Sequence, residues 1–286
     1  MEKNILVLME AQSKKFSKGQ RQIASFIKEH YEKAAFMNAY KLGRTVGVSE
    51  STVVRFASML GYDGYPEMKR ALQEILRNRL TSVQRIEVTR DRMDSQDVLS
   101  TVLNGDVEKI RTTLEEIDKE AFLQAVEALL AAKRIYVLGL RAASVLSSFM
   151  GFYLSKTHED VRVVNDAHVG EAFEQIVNIG KDDVLLAISF PRYSSRTVRA
   201  MHYAHGQGAT IIGLTDGAAS PIASLSDICL YAKSDMVSYL DSLVAPLSVL
   251  NALLVAMANR SQARVFESFE RLEKIWAEYN VFEKNE

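Results

Sequence analysis

Two short segments combine arginine, glycine and hydroxyl side chains in a way suited to holding an anion. They are Gly139-Leu140-Arg141-Ala142-Ala143-Ser144 and Ser189-Phe190-Pro191-Arg192-Tyr193-Ser194-Ser195-Arg196-Thr197. A guanidinium is a planar fork matched to phosphate or carboxylate, and hydroxyls add neutral donors. Gly139, Arg141 and Ser144 in the first segment and Ser189, Arg192 and Ser194 in the second are therefore candidate ligand contacts. The competing reading pairs Arg141 and Arg192 with acids such as Asp166 or Glu171 and leaves no ligand site. A third segment, Ser49-Glu50-Ser51-Thr52-Val53-Val54-Arg55-Phe56, sets polar side chains on the first turns of a helix. That chemistry suits contacts to base edges and phosphates in a DNA major groove, with Arg44 and Lys69 as further phosphate contacts.

Other chemistries find less support. Moving a proton between adjacent carbons of a sugar phosphate needs a positioned Glu or His base. His158, His168, Glu171, His202 and His205 are available, but no arrangement of them is recognisable as a catalytic set. His202 and His205 share a helix face without an evident third metal ligand. Cys229 is the single cysteine, so an internal disulfide and multi-thiolate zinc sites are excluded. No metal, no cofactor and no catalytic residue is expected. No signal-peptide pattern opens the chain, and the longest apolar stretch, near residues 243–257, is broken by Pro246, Ser248 and Asn251. A cytoplasmic protein without a membrane span is the expectation.

The elements that must position these residues read as two modules. Residues 1–77 show helical periodicity throughout, with Ser17 placed to cap a helix. Residues 78–105 are polar and charge-mixed and read as a helical or partly ordered connector. Helical periodicity resumes over 106–130, and from Arg134 the period changes. Short apolar runs begin at Ile135, Val161, Val184, Thr210 and Ile228, mostly with helical stretches between them. This alternation predicts a parallel sheet of about five strands joined by right-handed crossovers. In such a sheet ligands bind beyond the carboxyl ends of the strands, where the Gly139 and Ser189 segments fall. A long helix near 240–259 and a charged one over 267–279 complete the second module.

Charge divides along the same lines. Residues 1–92 carry 17 Lys and Arg against 10 Asp and Glu, a net of +7, and the rest carries 18 against 26, a net of -8. A basic first third suggests that this end meets a polyanion. Within it, Gly43 supplies a small residue where two helices would cross, and Gly47 can take a positive φ at the turn. Val48 seals the turn, Val53 and Phe56 point inward, and Ser49 is placed to cap the second helix. Glu50, Ser51, Thr52 and Arg55 then face outward as a recognition surface.

The run VSESTVVRFASMLGYDGYPEMK, residues 48–69, resembles the signature of the RpiR family of bacterial transcription regulators. Ser49, Thr52, Arg55, Phe56, Gly61, Gly64 and Lys69 match its pattern. Gly43 departs from the usual alanine, a change that weakens helix propensity by roughly 1 kcal/mol. The resemblance implies a helix-turn-helix domain over 1–77, the connector 78–105, and a three-layer αβα sugar isomerase (SIS) domain over 106–286. It further implies a duplex DNA operator as partner and a small anionic effector, a sugar phosphate or relative. SIS domains usually carry G-x-G-x-S and S-x-S-G-x-T in their phosphate loops. Here Arg141 and Ala143 replace the second Gly and the Ser of the first, and Pro191 and Arg192 replace the second Ser and the Gly of the second. A homodimer or homotetramer is expected, because one recognition helix buries too little surface for specific binding. Two other readings remain open: a phosphosugar isomerase with an accessory helical domain, and a protein-binding scaffold whose helices do not meet DNA.

Overall fold

The computed structural model describes residues 5–77, 81–90, 97–165, 172–236 and 238–283. The chain divides into two compact units, Met1–Val98 with Ser238–Leu240 and Leu99–Val237 with Asp241–Glu286. Among the described residues no single helix is long and apolar enough to cross a membrane.

The first unit holds α1 (Ile5–Gln12), α2 (Lys18–Glu29), α3 (Tyr31–Ala34), α4 (Ala39–Val46), α5 (Glu50–Met59), α6 (Gly64–Arg77) and α7 (Ser82–Arg90). Ser17 caps α2 as expected, in a full capping box with Gln20. The inward faces of these helices bury Ile5, Met9, Ile23, Ile27, Leu42, Val53, Phe56, Leu60, Met68 and Leu72. Phe16 closes this core edge-to-face on Phe56, with ring centroids 5.3 Å apart. Two bonds tie α6 to the segment ahead of α4: the Tyr65 hydroxyl donates to the Met37 carbonyl at 2.9 Å and Gln73 Nε2 to the Ala35 carbonyl at 3.0 Å.

The second unit opens within α8 (Val98–Glu116), from Leu99 on, and continues with α9 (Lys119–Ala131). Then come β1 (Arg134–Gly139), α10 (Ser144–Leu154), β2 (Val161–Val164), α11 (Ala172–Gln175), β3 (Asp183–Ile188), α12 (Ser195–Gly206), β4 (Thr210–Thr215) and β5 (Ile228–Tyr231). It closes with α13 (Val244–Arg260) and α14 (Gln262–Glu278). The five strands form one sheet in the order β2-β1-β3-β4-β5, with every pairing parallel. Side chains alternate by strand position. Ile135, Val137, Leu186 and Ile188 pack under α9, α10 and α13, whereas Tyr136, Leu138, Leu185 and Ala187 pack under α11 and α12. The result is the expected three-layer αβα sandwich.

Strand order places the functional edge. The chain leaves β1 for a helix on one face and leaves β3, its neighbour, for a helix on the other. That divergence is the topological switch point, beyond whose strand ends ligands bind in open α/β sheets. Gly139 pairs with Ile188, and Ile188 with Leu214, so β1, β3 and β4 end at one level.

Three element bounds differ from the sequence reading. Helix α8 begins at Val98, ahead of the periodicity read from residue 106, because its apolar stripe faces outward and its early turns read as polar connector. Helix α13 begins at Val244 rather than near 240, which keeps Pro246 in the first turn, where no intrahelical N–H is required. Helix α14 begins at Gln262 rather than 267, directly after a break at Ser261.

Candidate recognition helix and anion-binding loops

In the first unit, geometry at the α4–α5 turn depends on two glycines. Gly47 ends α4 at φ 77°, the left-handed conformation, with open space around it. A Cβ on Gly43 would lie 2.8 Å from the Val48 carbonyl oxygen, so the helices cross where no side chain fits. The Val48 N–H donates to the Gly43 carbonyl at 2.8 Å and closes the turn. A third glycine was not anticipated. A Cβ on Gly19 of α2 would lie 3.2 Å from Val48 Cγ1 and 3.5 Å from Thr52 Cγ2, so α2 packs closely behind the turn.

This packing fixes what α5 presents. Glu50, Ser51 and Arg55 are exposed, as expected. Thr52 is half-buried against Gly19 rather than fully outward. Ser49 occupies the N-cap position but makes no side-chain capping bond, which corrects the role given to it above. Its hydroxyl lies 2.9 Å from the hydroxyls of both Ser51 and Thr52. The three form a hydroxyl cluster at the tip of the helix, and neighbouring hydroxyls compete with the backbone N–H groups for Ser49. Arg55 Nε donates to the Ser51 carbonyl at 3.3 Å. Arg44 is exposed on α4, its guanidinium carbon 5.9 Å from the centre of the exposed Tyr40 ring. Lys69 is half-buried on α6.

In the second unit, the β1 and β3 loops leave adjacent strands at the switch point. Both arginines there have left-handed backbone: φ is 58° at Arg141 and 63° at Arg192. They occupy two of the three positions where the SIS pattern has glycine, so the glycine conformation survives the loss of glycine. An L-residue with a Cβ pays roughly 1–2 kcal/mol for it. Both side chains are exposed. The Ser144 hydroxyl donates to the Arg141 carbonyl at 2.6 Å, which fixes the first loop and commits the proton of that hydroxyl. Gly139 is required by packing, since a Cβ there would run into the Ala143 carbonyl and lie 2.9 Å from Ser147 Cβ. In the second loop Ser189 is buried, Ser194 stands at the N-cap of α12 without a side-chain capping bond, and Pro191 is buried. The first turn of α12 contains no acid. Arg192 precedes it, and Arg196 and Arg199 lie on its first turns. Cations at a helix N-terminus oppose the helix dipole, and an anion seated there reverses the sign of that interaction.

Part of the edge escaped the sequence reading. Asp216, just past β4, is buried and accepts a 2.7 Å bond from the Tyr193 hydroxyl of the β3 loop. The Thr215 hydroxyl lies 3.2 Å from the same carboxylate and 2.8 Å from the Ser220 hydroxyl. The rule that ligands sit beyond strand ends applies to β4 as well, and Asp216-Gly217 was a signal of it. Asp166, Glu171 and His168 lie outside the described residues. His158 is structural: its Nδ1 accepts from the Asp160 N–H at 3.4 Å and its Nε2 lies 2.9 Å from the Ala132 carbonyl. Among the described residues no group of three potential ligands is placed to hold a metal ion.

The folds and sites together define a class: a helix-turn-helix domain followed by an αβα SIS domain. The model of the rpiR-family helix-turn-helix domain matches residues 3–79, and the SIS domain model matches residues 128–256. The chain thus pairs an rpiR-family helix-turn-helix domain with a SIS domain. An uncharacterized HTH-type transcriptional regulator of Caldanaerobacter subterraneus subsp. tengcongensis is 24% identical over 276 residues, 95% of this chain and 96% of that protein. The sugar isomerase domain of an RpiR transcription factor from Sphaerobacter thermophilus is 27% identical with a TM-score of 0.59, covering 62% of this chain and 99% of that one. The NanR protein of Vibrio vulnificus, complexed with ManNAc-6P, has the same fold at a TM-score of 0.59 and 22% identity, covering 96% of this chain and 98% of that one.

Proposed function

We propose that this chain is a bacterial transcription regulator that binds an operator through α5 and adjusts that binding to a sugar phosphate or related anionic metabolite held at the β1 and β3 loops. The division of labour follows the limits read from the sequence: DNA binding in 1–77, a connector over 78–105 and effector binding in 106–286. The observation that carries the reading is α5, whose Glu50, Ser51 and Arg55 stand exposed on a helix held by the Gly43–Val48 contact. Ser49, Thr52, Arg44 and Lys69 complete the proposed DNA surface. Gly139, Arg141, Ser144, Ser189, Arg192 and Ser194 are the proposed effector contacts, and NanR bound to ManNAc-6P supports a sugar phosphate in this fold. The protein acts in the cytoplasm as a homodimer or homotetramer, because paired half-sites multiply affinity.

We propose sensing without turnover. The isomerase reading needs a free base beside the substrate, and the acid at the described strand ends, Asp216, is held by Tyr193. The test selects an operator from random duplexes and measures binding against salt and against a panel of sugar phosphates that includes ManNAc-6P. The expected result is salt-dependent, sequence-selective binding that shifts with one of the phosphates. Conversion of an aldose phosphate to a ketose phosphate, without duplex selectivity, would replace this reading with the isomerase.

A further inference from the structure

Helix α5 buries Val53, Phe56 and Ala57 and turns the rest of its surface outward. On that outer surface Glu50, Ser51, Arg55 and Ser58 are polar and exposed. Val54 stands among them with 38% of its surface exposed, the only large apolar side chain that α5 leaves open. It follows Ser51 by three residues and Glu50 by four, and it precedes Ser58 by four. The helical repeat therefore sets all four along one side of α5.

Helix formation alone does not favour valine there. At an exposed helix position intrinsic propensity decides, and a β-branched side chain ranks below lysine, glutamine or glutamate. A single apolar side chain on a surface is ordinary. What sets Val54 apart is the state of its neighbours. The Ser51 hydroxyl lies 2.9 Å from that of Ser49, Arg55 Nε donates to the Ser51 carbonyl at 3.3 Å, and the Ser58 hydroxyl donates to the Val54 carbonyl at 3.3 Å. Each of these polar groups must share or give up a bond within the helix to touch a base. The Val54 side chain has no bond to give up, and branching at Cβ holds its methyl groups in one rotamer. In the major groove the matching surface is the C5-methyl of thymine, the one methyl group that the four base pairs display there.

We infer that Val54 reads a thymine methyl group in the major groove, an apolar base contact set among the polar contacts of α5. The inference rests on the operator binding through α5 proposed above and names a base that this helix selects. Glu50, Ser51 and Arg55 supply polar contacts, and Val54 separates thymine from cytosine by shape and apolar area rather than by a hydrogen bond.

The test uses the full chain and an operator selected with it from random duplexes. Each thymine of one half-site is replaced singly by deoxyuridine, which removes the methyl group and keeps the pairing edge. Anisotropy at fixed salt reads the dissociation constant. At one thymine the replacement should weaken wild-type binding about 4-fold, the factor that one buried methyl group carries. Val54→Ala should bind the thymine operator more weakly and be indifferent to deoxyuridine at that one position, while it keeps the wild-type response at the others. Val54→Ile, which retains the branched methyl, should keep the wild-type response throughout. The pairing of variant with base forms a double-mutant cycle, so a general loss of folding, which would lower both affinities alike, does not imitate it. A wild-type chain indifferent to every deoxyuridine, or a Val54→Ala chain that responds to each as the wild type does, overturns the role of Val54 and leaves operator binding standing. A wild-type chain that selects no duplex overturns both.

Discussion

The same backbone conformation occurs at the α4–α5 turn and at the β1 and β3 loops, and the chain reaches it in two ways. At the turn Gly47 takes φ 77° without a side chain and without strain. At the loops Arg141 and Arg192 take φ 58° and 63° with a Cβ and a long charged side chain. In the first region the requirement is on shape: α5 must leave α4 at one angle. In the second, a residue that conformation disfavours stands where glycine would be easier. Strain of this kind persists at sites where the side chain does something the rest of the fold offsets. The comparison teaches that one region is specified by what is missing from the side chain and the other by what is present.

That contrast can be broken experimentally. The largest effect is expected at Gly43. Gly43→Val forces a branched side chain against the Val48 carbonyl, and overpacking against backbone should cost about 3 kcal/mol. Thermal denaturation should show the first unit melting early while the second is unchanged; an unaltered first transition would mean that the crossing has slack. Next comes Arg192→Ala. Loss of a charge-assisted bond should weaken the effector by about 1.5–3 kcal/mol, or about 10- to 150-fold, while operator binding without effector is retained. Titration calorimetry and anisotropy read the two halves of that statement. If the variant still responds at the wild-type effector concentration, the effector site lies elsewhere.

Arg55→Ala should reduce operator affinity by about 1–3 kcal/mol with no change in melting temperature, since the side chain is exposed. Thr52→Ala should reduce both, because it also loses packing on Gly19; equal behaviour of the two variants would argue against the half-buried position of Thr52. The smallest effect is the sharpest test of the comparison. Arg192→Gly should stabilise the second unit by up to about 1 kcal/mol as the left-handed strain is relieved, yet weaken the effector as much as Arg192→Ala does. A destabilised Arg192→Gly chain would show that the guanidinium is there for structure. Gly47→Ala is the mirror experiment, expected to destabilise the first unit by about 1–2 kcal/mol through backbone strain alone, since nothing lies within 4 Å of its Cβ position.

The sequence by itself determined what depends on neighbours along the chain. Capping by Ser17, the glycine turn at Gly47, the five apolar runs and the helices between them are short-range patterns, and each stands where periodicity placed it. Local pattern also located Arg141 and Arg192, because a strand end followed by a helix start is a local event. Tertiary structure decided the rest, since it depends on contacts between residues far apart in sequence. The order β2-β1-β3-β4-β5 made the loops after β1 and β3 leave adjacent strands. Tyr193 met Asp216 only because β3 and β4 are adjacent, and Thr52 was drawn inward only because Gly19 let α2 approach. Ser49 had the right residue type for a cap, but nearby hydroxyls offered it other partners. In α8 the periodicity shows a stripe but not which side of the helix the domain uses. The inner side went to Lys109, Asp106 and Thr113, because their partners on Ser242 and Lys233 come from distant parts of the chain.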